Sequence, residues 1–76
     1  MALSQNSTGA RVEKIQRFLD SQGYDLGNAG VDGVYGRDTR EAVREFQYEN
    51  ALRADGIVGA STLTIMRSKG LELERE

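Results

Sequence analysis

The fold is decided by one stretch that occurs twice, Val31-Asp32-Gly33-Val34-Tyr35-Gly36-Arg37-Asp38-Thr39 and, 23 residues later, Ala54-Asp55-Gly56-Ile57-Val58-Gly59-Ala60-Ser61-Thr62. Both copies read Asp-Gly, two apolar or aromatic residues, Gly, two variable residues and Thr. We call them the first and second Asp-Gly units. Apolar residues follow each Thr at three and four positions, the spacing of one helix face. The sequence therefore predicts the same loop-to-helix structure twice.

Helical periodicity predicts three helices, at about residues 9–22, 38–50 and 61–69. In the first, Val12, Ile15 and Leu19 form an apolar stripe. Gly23 and Gly70 follow the first and third helices and favour the left-handed conformation that ends many helices. The chain is thus expected to be all-α, an orthogonal three-helix bundle with an internal pseudo-repeat.

The helix ends carry further predictions. Polar side chains that accept hydrogen bonds from the first turn are expected at Ser7 or Thr8, Asp38 and Ser61. At the end of the second helix, Asn50 is expected to take the left-handed conformation in preference to Ala51, because alanine tolerates it poorly.

The composition of the units predicts an architectural role. Each Asp is expected to accept backbone hydrogen bonds just downstream in an Asx turn, and the Gly after it to adopt positive φ. The next two residues are expected to point inward, and the Thr hydroxyls to bond nearby backbone. The architectural positions are Asp32, Gly33, Gly36, Thr39, Asp55, Gly56, Gly59 and Thr62.

The length limits the chain to one small domain. Seventy-six residues hide only about 60% of the surface that the unfolded chain exposes. We predict a flexible leader at 1–7, a folded domain at 8–70 and a charged flexible tail at 71–76.

Composition excludes most enzyme chemistry. The chain has no Cys and no His, which removes His-based acid–base catalysis, His or Cys triads and the usual transition-metal ligands. A hydrolase using carboxylates alone remains, but a bundle of this size offers little room for the pocket that raises a carboxyl pKa. We expect no catalytic residues, no cofactor and no metal.

A calcium loop is the alternative for the segment from Asn28 to Thr39. Its sixth residue is Gly33, as in an EF-hand loop. The third position is Gly30 and the twelfth is Thr39 instead of a bidentate acid, so two ligand positions are missing.

Charge and hydropathy do not favour nucleic-acid binding or a membrane span. The net charge of −2 comes from residues 71–76, and residues 1–70 are balanced, so the basic excess typical of nucleic-acid binding is missing. No apolar run approaches the ~20 residues of a membrane span. The N-terminus lacks the basic start and apolar stretch of a signal peptide, so export is expected to depend on a parent protein or a phage lysis system.

The apolar spacing of residues 12–19, Gly23-Tyr24 and the two units together resemble the peptidoglycan-binding domain family. The resemblance covers about residues 9–67, and a dozen or more positions fall into register across both units. It implies a small three-helix bundle attached to bacterial or phage cell-wall hydrolases. Ala51 departs from the family pattern, which commonly has Gly before Leu, and the loop after Gly23 is unusually rich in glycine.

Peptidoglycan offers sugar hydroxyls, N-acetyl groups and stem-peptide carboxylates, so a site needs aromatic surface, amide groups and arginine. These converge on the basic flank of the second helix and the loop before it. The candidate ligand-binding residues are Tyr24, Asn28, Tyr35, Arg37, Arg40, Arg44, Gln47 and Tyr48. The competing interpretations are a solvated face for the arginines, with Arg37 pairing to Glu41, and a core position for Tyr35.

Two functions follow from these expectations. The first is a non-catalytic module that targets a cell-wall hydrolase or lytic enzyme to peptidoglycan, in the cell wall or periplasm, as a monomer without nucleic-acid partners. The alternative is a protein-interaction or assembly module on the same fold, in a phage particle or secretion apparatus.

Overall fold

The computed structural model of the chain describes residues 2–72 and contains three helices, α1 (Ala10–Ser21), α2 (Arg37–Glu49) and α3 (Ala60–Ser68). Within this range β-pairing is limited to two isolated antiparallel bridges, Leu3 with Val58 and Thr8 with Val34. The predicted all-α class and the three helices are confirmed. No helix in residues 2–72 is long and apolar enough to cross a membrane.

The core lies between the three helices and the two Asp-Gly units. Ile15 of α1, Phe46 of α2 and Met66 of α3 are almost completely buried, as is Tyr35 of the first unit. The rings of Phe18 and Phe46 pack edge to face with centroids 5.7 Å apart. Burying one such side chain stabilises a fold by about 1.5–3 kcal/mol, so this small core depends on each of them.

All three helices begin after a glycine, and the predicted side-chain caps are wrong. The N-cap residues are Gly9, Gly36 and Gly59, and none of the three makes a side-chain capping hydrogen bond. Asp38 and Ser61 lie one residue inside the first turn, past the position from which a side chain caps. At α1, Ser7 instead accepts a hydrogen bond from the Ser4 N–H at 3.2 Å.

All three helices end in the same Schellman motif. The N–H of the residue two positions past each C-cap donates a hydrogen bond to the carbonyl five residues earlier. The donor and acceptor pairs are Tyr24 to Leu19, Leu52 to Gln47 and Leu71 to Met66. Gly23 (φ 92°) and Gly70 (φ 117°) take the left-handed position as predicted. In α2 that position falls to Ala51 (φ 58°), so our choice of Asn50 is wrong. Asn50 stays at the C-cap, where its Nδ2 donates to the Phe46 carbonyl at 2.8 Å.

The predicted flexible leader is wrong for residues 3–7, which cross both Asp-Gly units. Leu3 is buried and exchanges two backbone hydrogen bonds with Val58, at 2.7 and 3.0 Å. Asn6 N–H donates to the Tyr35 carbonyl, and Tyr35 N–H donates to the Ser7 carbonyl. The segment stays in place because it satisfies backbone groups that the irregular units leave unpaired.

The predicted boundary after residue 70 is also too early. Leu71 is buried in the core as the apolar residue of the last Schellman motif. The rest of the predicted tail, residues 73–76, lies outside the described range.

Candidate functional site

A buried glutamine organises the first Asp-Gly unit. Gln16 of α1 is fully buried, and its Nε2 donates to Asp32 Oδ1, the Val34 carbonyl and Thr39 Oγ1 at 3.0–3.1 Å. Its Oε1 accepts from the N–H groups of Asp32 and Gly33 at 3.0 and 2.8 Å. Two amide hydrogens thus serve three acceptors, and one side chain fixes the loop and the start of α2.

The second unit repeats this arrangement with Gln47 of α2. Its Nε2 donates to Asp55 Oδ1, the Ile57 carbonyl and Thr62 Oγ1 at 2.9–3.1 Å. Its Oε1 accepts from the Gly56 N–H at 2.9 Å. Gln47 is 1% exposed, so its prediction as a ligand-binding residue is wrong. Each Thr hydroxyl also has a glutamine as a hydrogen-bond partner, whereas we expected it to bond to nearby backbone groups.

The predicted Asx turns are confirmed. Asp32 Oδ1 accepts from the Val34 N–H at 3.0 Å, and Asp55 Oδ1 accepts from the Ile57 N–H at 2.9 Å. These backbone hydrogen bonds favour the charged carboxylates and hold the pKa of both groups below the ordinary value of 3.8. The carboxylates act as loop anchors, with poor capacity to donate a proton near neutral pH.

Only one residue of each apolar pair points inward. Tyr35 and Val58 are fully buried, whereas Val34 and Ile57 are 49% and 43% exposed. Our expectation that both point inward is wrong, because consecutive side chains on extended backbone face opposite sides. Each unit therefore displays one aliphatic side chain on the surface.

Tyr35 belongs to the core, and its prediction as a ligand-binding residue is wrong. Its hydroxyl donates to the Gly56 carbonyl at 2.6 Å, which joins the first unit to the second. Burial raises the pKa of this hydroxyl.

Two open grooves lie beside the units at equivalent positions of the repeat. The first groove has a volume of about 280 Å³ and is lined by Leu26, Ala29, Gly30, Asp32, Val34, Gly36, Arg37, Asp38 and Thr39. The second has a volume of about 360 Å³ and is lined by Ala51, Leu52, Arg53, Asp55, Ile57, Gly59, Ala60, Ser61 and Thr62. Each groove contains the Asx-turn carboxylate and the exposed aliphatic residue of its unit.

The arginines of α2 form a strip between the grooves, which we call the basic strip: Arg37, Arg40 and Arg44. Arg37 lines the first groove. Arg40 and Arg44 lie over Gly56 of the second unit, where an added Cβ would meet the Cγ atoms of both side chains at 2.9 and 3.3 Å. The strip thus runs from the first groove to the loop that forms the second.

Acidic residues of α2 form ion pairs with all three arginines of the basic strip. Glu41 pairs with both Arg40 and Arg44, at 3.0 and 3.6 Å, and Arg37 pairs with Asp38 at 3.6 Å. The Arg37 side chain is still 82% exposed, and Tyr48 is 78% exposed. These two side chains are the most accessible of the predicted ligand-binding residues on α2.

Tyr24 lies away from the basic strip, whereas Asn28 precedes Ala29, which lines the first groove together with Arg37. The Tyr24 ring packs edge to face on Phe46, and its hydroxyl donates to Glu49. Burial, reinforced by Glu49, raises the pKa of Tyr24 to about 12. Asn28 is exposed in the loop that approaches Asp38 through Gly27. The structure therefore divides the predicted site, with Tyr24 bonded to Glu49 instead of lying beside the arginines.

The prediction did not include the second groove or the burial of the two glutamines. Gln16 lies 16 residues before the carboxylate of the first unit, and Gln47 lies 8 residues before that of the second. The two glutamines therefore do not occupy equivalent positions of the 23-residue repeat. The sequence did contain one indication, a glutamine next to the apolar face of each helix that precedes a unit. Within residues 2–72 no group of three or more acidic residues is placed to hold a metal ion.

Comparison with known proteins shows to which family the chain is similar. The model of the family described as "Putative peptidoglycan binding domain" matches residues 8–66. A probable N-acetylmuramoyl-L-alanine amidase of Bacillus licheniformis is 40% identical over 60 residues, 79% of this chain and 17% of the amidase. A type VI secretion system spike protein of Vibrio cholerae is 36% identical over 73 residues, 82% of this chain and 7% of the spike protein.

Solved structures agree with this comparison. The crystal structure of the SleB N-terminal domain superimposes with a TM-score of 0.83 at 32% identity, covering 91% of this chain and 92% of that one. The chain spans less than a fifth of the two longer relatives. With helices, units and sequence in agreement, the chain belongs to the family of putative peptidoglycan binding domains.

Proposed function

We propose that this chain is a non-catalytic peptidoglycan-binding module that brings a cell-wall hydrolase to its substrate. The family match over residues 8–66 is the observation that carries the proposal. The amidase relative supports it, because the matched region occupies only 17% of that enzyme and leaves ample chain for a catalytic domain. The corresponding location is the cell wall or periplasm.

The chemistry of the described residues favours binding over catalysis. Asp32 and Asp55 are committed to Asx turns and have lowered pKa values. Glu41 is shared between two arginines. General acid catalysis by a carboxyl group depends on the opposite, a pKa raised toward the working pH.

The basic strip and Tyr48 form the surface that we assign to ligand contact. Arginine donates paired hydrogen bonds to carboxylates, which stem peptides carry, and an exposed tyrosine packs against sugar rings or peptide. Tyr48 lies four residues after Arg44, so the two side chains share one face of α2.

A sedimentation assay with purified insoluble peptidoglycan tests the proposal. The wild-type domain is expected to pellet at low salt, and an Arg44→Glu, Tyr48→Ala variant to remain largely in the supernatant. Lys69→Glu provides the control, because Lys69 is exposed at the end of α3 and its reversal changes the net charge equally. A wild-type domain that stays in the supernatant, while a known cell-wall binder pellets, would refute the proposal.

The spike-protein relative favours a second candidate, an assembly module of a secretion apparatus or phage particle. Affinity purification of the domain from its native host would then recover a specific protein partner. Reversing charge at Arg40 and Arg44 is expected to release that partner. Recovery of peptidoglycan fragments without a protein would favour the first function.

A further inference from the structure

The two grooves are built from the same positions of the repeat. Each contains the Asx-turn carboxylate, an exposed aliphatic side chain and the Thr held by a buried glutamine. The pairs are Asp32 with Asp55, Val34 with Ile57 and Thr39 with Thr62. Because the glutamine networks fix both loops, the two grooves are held rigidly in similar shapes.

The chemistry of the grooves fits a short peptide better than a sugar. Among the residues that line them there is no aromatic ring on which a sugar would stack. Val34 and Ile57 offer an aliphatic wall of a size suited to alanine methyl groups. Each groove also carries one exposed arginine, Arg37 in the first and Arg53 in the second, and arginine complements a peptide carboxylate.

The basic strip joins the grooves. It begins at Arg37, which lines the first groove, and reaches Gly56, which lies between two residues that line the second. Between the grooves, a polymer with regularly spaced anionic peptides would meet the arginine side chains of this strip, two of which share Glu41.

We propose that the two grooves are paired subsites, each of which binds one stem peptide of the same peptidoglycan polymer. This inference rests on the proposed function and adds to it the part of peptidoglycan that is recognised and a valency of two. Each groove alone is shallow and binds weakly. Linked sites on one polymer raise the overall affinity by about 10²–10⁴-fold over either site alone.

Amide NMR with a free stem tetrapeptide and, separately, a peptide-free glycan disaccharide tests the inference. The tetrapeptide is expected to shift amides in both grooves at two peptides per domain. The amides to follow are Ala29, Gly30, Val34, Arg53, Ile57 and Ser61. Arg37→Ala is expected to abolish shifts in the first groove only, and Arg53→Ala in the second only. Lys69→Ala, outside both grooves, is expected to leave all of them unchanged.

Binding to insoluble peptidoglycan gives the second measurement. Each single arginine variant is expected to bind about 100-fold more weakly than wild type, because losing one groove removes the linked contribution. Far-ultraviolet circular dichroism verifies that each variant is folded.

The outcomes separate this inference from the proposed function. If the domain pellets with peptidoglycan but the tetrapeptide shifts only one groove, binds one per domain, or shifts neither, the paired subsites are refuted and the proposed function stands. Shifts in the grooves with the disaccharide alone refute the assignment to peptide. If the domain does not pellet with peptidoglycan, both are refuted.

Discussion

Replacing Gln16 by Met is expected to destabilise the domain severely while hardly changing the shape of the core. Methionine is similar in length and unbranched, but it removes all five hydrogen bonds of the buried amide. The Gly33 N–H, in a buried residue, and the Thr39 hydroxyl, in a residue 3% exposed, each lose this partner.

The magnitude follows from those two groups. A buried polar group without a partner destabilises by about 1–3 kcal/mol, so Gln16→Met is expected to lower the free energy of unfolding by about 2–6 kcal/mol. At about 0.05–0.15 kcal/mol per residue, a chain of this length has only about 4–11 kcal/mol. The variant therefore loses a large part of its stability.

Urea unfolding followed by circular dichroism at 222 nm measures the effect. Gln47→Met, which orphans Gly56 and Thr62 in the same way, is expected to give a similar loss, and exposed Gln22→Met almost none. Adding Thr39→Val to Gln16→Met removes one orphaned hydroxyl and is expected to restore about 1 kcal/mol. A loss below about 0.5 kcal/mol for Gln16→Met, with an unchanged urea dependence, would show that the network does not hold the fold.

Three further predictions concern single residues. Ala51→Gly is expected to raise the melting temperature by stabilising the fold by about 1 kcal/mol, since φ is 58° there; Ala54→Gly, at ordinary φ, is expected to lower it. Asp55 has a folded pKa below 3.8, so its charged form contributes stability above pH 3.8 that is lost as pH falls through the folded pKa. The urea midpoints of wild type and Asp55→Asn are therefore expected to converge as the solution is made acidic. A difference between the two midpoints that stays constant with pH would contradict this. Gly27→Ala is expected to lower the free energy of unfolding by roughly 2 kcal/mol in urea unfolding, because φ is +75° and the new Cβ would overlap the Asp38 carboxylate. Gly30→Ala, with φ +59° and open space, is the control and is expected to show only the smaller effect of positive φ.

The parts of the structure that depend on local sequence were predictable. Apolar spacing located Val12, Ile15 and Leu19 on the buried face of α1, and the repeated Asp-Gly pattern located both Asx turns. Each of these features involves residues within a few positions of one another, where side-chain period and turn chemistry decide the conformation.

Features that depend on distant partners were not predictable. Leu3 is buried where its backbone pairs with the distant Val58, and no local pattern indicates such a pair. Ala51 is left-handed because the hydrogen bond from Leu52 to Gln47 closes the helix end, which overrides the preference for Asn50. Gln47 was assigned to the ligand site because helical period alone places it beside the arginines, without showing the loop that covers it.

The accessibility of the candidate site residues was predicted in part. The α2 residues Arg37 and Tyr48 are accessible as expected, because the outer face of an amphipathic helix can be read from its period. The separation of Tyr24 from that face depends on where the loop after α1 packs, which its glycines leave undetermined in the sequence. The second groove required the three-dimensional equivalence of the two units.

The pairing of Leu3 with Val58 bears on how the domain is made. Leu3 is synthesised before Val58, so it acquires this partner only after most of the domain has been translated. Until then the first unit can pair with residues 6–9 and pack beside α1, but Leu3 has no site in which to be buried. The fold can therefore be completed only once the second unit has been synthesised, so a nascent chain that stalls before residue 58 leaves Leu3 exposed to chaperones and proteases.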